Sequence, residues 1–169
     1  MLKTVDYRGG VICFRIPSDW TEEYEDEGGG TFYGPGEHAG TLRVEITTGE
    51  GKDGEPVTID RLTKLFADDS AKYGVASKLL GDNVAMIRYD MPAVERGQPL
   101  MLRCWRIFQA LPPKNFRHVL FTYTQLADQF DHPTSRAGME LLDREILAVE
   151  FAPTLGVLAS SKKPWWRMW

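Results

Sequence analysis

The chain has 169 residues, enough for one sizeable hydrophobic core. With 20 Lys and Arg against 24 Asp and Glu, the formal net charge is -4, so the overall basic field of a nucleic-acid binder is missing. No stretch approaches the ~18 uncharged apolar residues of a membrane helix, and Met1 to Gly10 lacks a signal-peptide core, so a soluble, cytoplasmic protein is expected.

Leu2 to Tyr7 and Val11 to Ile16 are short apolar runs separated by Arg8-Gly9-Gly10, the pattern of a β-hairpin. Pro17 closes the second run because proline cannot donate to a strand ladder. Trp20 to Tyr24 and Thr31 to Tyr33 flank Glu25 to Gly30, where three consecutive glycines predict a turn or flexible loop. Thr41 to Thr48 alternates, with Leu42, Val44 and Ile46 on one side and Arg43, Glu45 and Thr47 on the other, as a half-buried strand does. Gly49 to Glu55 is a polar loop. Helical spacing of Ile59, Leu62, Leu65, Phe66 and Ala67 then predicts one helix from Thr58 to Tyr73, with Thr58 as N-cap and Gly74 as stop.

Three strands follow: Val84 to Met91, Leu100 to Leu111 and Phe116 to Gln125, joined by Pro92 to Pro99 and by Pro112 to Asn115. The middle one is apolar on both faces, with Leu100, Leu102, Cys104 and Phe108 on one and Met101, Trp105 and Ile107 on the other. Such a strand needs cover above and below. A second helix runs from Pro133 to Val149, its buried stripe being Met139, Leu142, Ile146 and Val149 and its cap Asp131 or Thr134. The expected fold is α+β: a three-layer α/β/α sandwich around a mainly antiparallel sheet, with two main helices, as one domain over residues 1–169.

Phe14-Arg15-Ile16-Pro17-Ser18-Asp19-Trp20 resembles the F-x-[IV]-P-x-x-W opening of the Mog1/PsbP-like superfamily. The similarity in element order extends over most of the chain. The resemblance implies an α/β/α sandwich in which Pro17 terminates a strand and Trp20 fills the core. It implies a binding role as well, since its members include a Ran-GTPase-binding protein, photosystem-associated subunits and chaperones for secreted effectors. It carries over no functional residue, because the shared positions are structural, and fold alone does not give function.

Residue types capable of chemistry are present but not in reactive patterns. Cys13 and Cys104 lie inside apolar runs and are expected as buried free thiols of a reducing compartment. If Pro112 to Asn115 makes a hairpin, Cys104 falls opposite Thr122 and His118 lies four residues away, roughly 13 Å, too far for a nucleophile–base pair. His38, His118 and His132 lack metal-ligand spacing, so no metal is expected. Gly28-Gly29-Gly30 has no phosphate-loop lysine, and the acidic run from Glu22 to Glu27 lacks the calcium-loop alternation, so no cofactor is expected either. Gly34 to Gly40 is a wide turn. Asp68 and Asp69 are assigned to an exposed helix side. Arg88, Arg103, Arg106 and Arg117 fall on adjacent strands, where they frame an anionic cleft or pair with acidic side chains.

The tail from Lys162 to Trp169, Lys-Lys-Pro-Trp-Trp-Arg-Met-Trp, holds three of the five tryptophans. Exposed, such a tail is costly, and Trp, Met and Arg are favoured at interfaces. Trp165, Trp166, Met168 and Trp169 are therefore the candidate interaction residues, docking on this domain or on a partner chain, with a membrane surface the remaining option. The sequence points to a non-enzymatic protein-binding module (adaptor, chaperone or immunity-type protein) whose partner is a protein, or a second copy of this chain, and not nucleic acid. The rival is a small-molecule binder or enzyme with a cleft assembled from sequence-distant residues.

Overall fold

The computed structural model describes residues 1–26, 28–51 and 55–154. Strands β1 (Leu2–Tyr7) and β2 (Ile12–Pro17) form the first hairpin. Its turn needs positive φ at Arg8, Gly9 and Gly10, at 49°, 69° and 84°, which glycine supplies at two of the three positions. Next come β3 (Thr21–Tyr24), β4 (Gly29–Tyr33), β5 (Thr41–Glu50), helices α1 (Ile59–Lys64) and α2 (Ala67–Tyr73), and β6 (Lys78–Gly81). The chain continues with β7 (Val84–Glu95), β8 (Gln98–Leu111), β9 (Asn115–Leu126), α3 (Pro133–Leu147) and β10 (Glu150–Phe151). Seven strands make one antiparallel sheet in the order β3-β4-β5-β9-β8-β7-β6; β1, β2 and β10 make a smaller sheet.

The inner face of the large sheet is covered by the β1–β2 hairpin and α3. Ile12, Phe14 and Ile16 from the hairpin and Met139, Leu142 and Ile146 from α3 pack with Phe32, Val44, Trp105, Ile107 and Phe121. Phe14 makes edge-on contacts with Phe32 and Phe121, at ring separations of 5.5 and 5.3 Å. Gly30 is glycine for a packing reason: a Cβ there would sit 2.6 Å from the Tyr7 ring. Trp20, 9% exposed, stacks on Tyr123 and fills the core as the motif implies. On the outer face Leu62 and Phe66 cover Ala85, Ile87, Phe108 and Ala110. Cys104 and Trp105, successive residues of β8, point to opposite faces and are 4% and 0% exposed. The layered α+β arrangement holds, with the inner layer shared between α3 and a hairpin.

The structure corrects several sequence expectations. The helix expected from Thr58 to Tyr73 is broken in two, giving three helices among the described residues. Leu65 and Phe66 close tight i→i−3 bonds to Leu62 and Thr63, which turns Phe66 down onto Phe108 and leaves Leu65 54% exposed. The cap of α3 is His132, whose Nδ1 accepts from the Thr134 amide; Asp131 instead pairs with Arg136. Val149 lies past the end of that helix. Pro92 to Pro99 is no loop. It contains the continuing strands of a long hairpin, turned at Arg96 and Gly97 with φ of 51° and 80°. Pro92 is tolerated because, among the described residues, β7 has no pairing partner on its other side beyond Met86.

Trp105 links two layers. Its indole N–H donates to Asp143 Oδ1 on α3 at 2.9 Å, while Asp143 Oδ2 accepts from Arg88 at 2.5 Å and Arg103 at 3.0 Å. Arg103 also grips Asp90 with two bonds of 2.8 and 2.9 Å. Replacing Trp105 with Phe removes the donor and part of the ring, and is expected to cost about 1–3 kcal/mol. Urea unfolding would check this; a loss below about 0.5 kcal/mol would show that α3 is held by apolar packing alone.

Candidate interaction surface

The groups with chemical potential are mostly occupied by one another. Cys104 lies opposite Thr122 in the β8–β9 register, and His118 lies opposite Phe108, four residues along. Burial pushes the Cys104 thiol up to about 11 and, with Arg106 adding repulsion, pushes the His118 imidazole down to about 4. Near neutral pH the pair is a thiol and a neutral ring, not a thiolate and an imidazolium. The His118 ring stacks on Phe108 at 4.7 Å. Cys13 departs from expectation: it is only half-buried, and its sulfur lies 3.0 Å from Asp6 Oδ1. That hydrogen bond raises its thiol to about 11.

The four strand arginines resolve between the two options the sequence left open. Arg88, Arg103 and Arg106 pair with acidic side chains: Asp143, Asp90 with Asp143, and Asp69 respectively. Asp69 is therefore an ion-pair partner and not an idle exposed residue. Its signal was obscured by reading α1 and α2 as one helix with one face. Arg117 is different. It is fully buried and, among the described residues, bonds no carboxylate; it donates to Gln109 Oε1, to the Ala152 carbonyl at 3.1 Å and to the Thr154 carbonyl at 2.9 Å.

Two clefts flank α3. One of about 310 Å³ lies among Val75, Met86, Arg88, Trp105, Asp143 and Leu147, and one of about 350 Å³ among Asp90, Arg103, Phe130, Arg136, Met139 and Glu140. Arg88 and Asp143 in the first and Asp90 and Arg103 in the second belong to the Asp143 network, and Arg136 pairs with Asp131; Lys78 in the first and Glu140 in the second have no ion pair among the described residues. Sequence reasoning also missed a pair of histidines: His38, from the Gly34–Gly40 turn, stacks on His132 with ring centres 3.9 Å apart. Nothing in their spacing signals this contact. Among the described residues, no group of three or more His, Cys, Asp or Glu is arranged to hold a metal ion.

What the structure leaves open is a sheet face. The main contacts of α1 and α2 are with β7 and β8. On the outer face at and beyond their border, the register lines up Ala93, Leu100 and Leu126 in one row and Met91, Leu102, Thr124 and Thr41 in the next, Met91 still accepting from Tyr73 of α2. Thr122 and Leu120 extend the surface toward Arg43 and Glu45 on β5. Met91, Leu100, Leu102, Leu120 and Leu126 are all half-buried, a contiguous apolar-and-threonine surface without a covering layer among the described residues. Residues 162–169, with Trp165, Trp166, Met168 and Trp169, lie outside the described residues. No described helix is long and apolar enough to cross a membrane.

Comparison of the whole fold with solved structures finds a structure from Bacteroides thetaiotaomicron VPI-5482 with a TM-score of 0.54 at 20% identity; the match takes in 89% of this chain and 48% of that one, so this chain spans about half its length. A point mutant of protein Mog1 superposes over 94% of this chain and 100% of its own, with a TM-score of 0.50 at 10% identity. The fold is Mog1/PsbP-like. The Saccharomyces cerevisiae Ran-binding protein Mog1p also matches, over 89% of this chain and 95% of its own, with a TM-score of 0.48 at 10% identity. No protein-family profile and no curated protein sequence matches the chain.

The buried imidazole makes stability depend on pH. In the unfolded chain His118 takes up a proton near 6.5, whereas in the folded chain it does so only near 4. The unfolded state therefore binds more protons between these values, and stability falls as pH drops from about 6.5 to 4, by up to about 3 kcal/mol. Above this window His118 contributes no slope. His118→Leu should flatten the decline in denaturation midpoints measured between pH 7 and pH 4. An unchanged slope in the variant would assign the pH dependence to other groups.

Proposed function

We propose that this chain is a non-enzymatic protein-binding module that engages its partner through the uncovered outer face of the large sheet. The observation that carries this reading is the apolar cluster of Leu100, Leu102 and Leu126, aligned in adjacent register rows and half-buried beyond α1 and α2, with Met91 at its border where Tyr73 of α2 donates to its sulfur at 3.7 Å. Contiguous apolar surface left in water is a common mark of an interaction site, because burying it supplies stabilisation. The mutual pairing of the Asp143 network and the protonation states of Cys104 and His118 support binding over turnover. The likeness to Mog1 supplies the scaffold for this reading and leaves the partner to be found. Trp165, Trp166, Met168 and Trp169 are proposed as a second, aromatic interaction element.

The test uses Leu102→Glu combined with Leu126→Glu, which places two carboxylates on the face while leaving both core faces intact. Affinity capture from the host, with bound proteins identified by mass spectrometry, is expected to yield a protein held by the native chain and reduced about tenfold or more with the double variant at unchanged melting temperature. Equal capture by both would overturn the assignment to this face. Turnover of a substrate, lost with Cys104→Ser or His118→Ala, would overturn the non-enzymatic reading.

A further inference from the structure

We infer that the free edge of strand β3 is the docking site of the chain's own basic-aromatic tail, Lys162 to Trp169. This rests on the tail being an interaction element, as proposed above, but not on the outer sheet face. β3 terminates the seven-stranded sheet and pairs only with β4 among the described residues, so its outer backbone groups are unpaired. Such an edge is a template for another extended segment.

The side chains around this edge match the tail in two respects. Glu23, Glu25 and Asp26 are exposed and carry no salt bridge among the described residues, whereas the tail offers Lys162, Lys163 and Arg167. The same edge presents a large aromatic surface: Tyr24 is 56% exposed, its ring held against Tyr7 and Phe32 at 6.2 and 5.9 Å. An exposed tyrosine face with carboxylates that carry no ion pair among the described residues suits a segment that holds both basic and indole side chains.

The route is short. Arg117 holds the carbonyls of Ala152 and Thr154, and the Ala152 amide donates to Val11 at 3.1 Å. The Val11 amide in turn donates to the Tyr7 carbonyl at 3.1 Å, and the Tyr7 ring touches Tyr24. The point where the described chain stops is thus one hairpin turn away from the β3 edge. Ten residues lie between Thr154 and Trp165, so eleven residue steps, extended, span roughly 36 Å. The chain is tethered at Thr154 within reach of this edge, which raises the effective concentration of one for the other. Docking in this way caps the sheet edge and shields Tyr24.

The test is hydrogen–deuterium exchange of the full-length protein, read on the peptide that contains Thr21 to Tyr24. Replacing Trp165, Trp166 and Trp169 with Ser is expected to speed exchange there about tenfold while leaving β8 and β9 unchanged. Reversing the edge charges with Glu25→Lys and Asp26→Lys should do the same. Adding Lys162→Glu and Lys163→Glu to that variant should restore protection. Identical β3 exchange in native and triple-Ser proteins would overturn the inference. So would protection that rises with protein concentration alongside a doubled mass in solution, since the occupant would then be a second copy. Failure of these variants leaves the outer-face capture experiment unaffected, so the two readings are tested separately.

Discussion

The structure depends on one constraint: strand β8 is apolar on both faces and must be covered twice. Trp105 and Ile107 require a layer on the inner side, and Cys104 and Phe108 require one on the outer side. The inner layer is shared between the hairpin and α3, which bury Trp105, Ile107 and Phe121 and leave clefts on either side of α3. The outer layer is short. Six residues of α1 and seven of α2 cover β7 and β8 near Phe108, and their cover does not extend to Leu100, Leu102 or Leu126. The proposed binding face is the part of the outer surface that no helix among the described residues covers.

Polar groups follow the same division. Asp143 is placed on α3 where it can satisfy the Trp105 indole and two arginines together, so an inward-facing acid becomes the hinge between helix and sheet. On the outer side Asp69 of α2 meets Arg106 and ties that short helix to the sheet. Burying an acid without such partners would be costly, and each pairing is therefore also a constraint on where its helix can sit. Arg117 does comparable work without a carboxylate, holding the chain at Ala152 and Thr154 through their carbonyl oxygens.

Much of this was legible in the sequence, because period-two patterns report burial directly. The alternation in Leu42, Val44 and Ile46, the two-faced apolarity of β8 and the placement of Cys104 opposite Thr122 follow from strand geometry alone. The Phe14-to-Trp20 motif pointed to the fold. Contacts between residues far apart in sequence were not legible. Nothing local marks His38 as the neighbour of His132, or Asp143 as the partner of Trp105. The broken first helix was hidden because Leu65 and Phe66 both fit the apolar stripe, although only Phe66 turns inward. The open outer face was hidden for another reason: leucines on a strand imply burial, and only the lengths of α1 and α2 show where cover ends.

The central claim is that the uncovered rows of β8 and β9 are the partner-binding face. The most direct measurement is a hydrogen-exchange or cross-linking footprint of the native complex, compared with the free chain at equal concentration. The account predicts new protection or cross-links over Leu100 to Leu102 and Thr122 to Leu126, with the β1–β2 hairpin and α3 unchanged. A footprint confined to α3 and its clefts, with the β8–β9 outer face still fully exchanging, would contradict it.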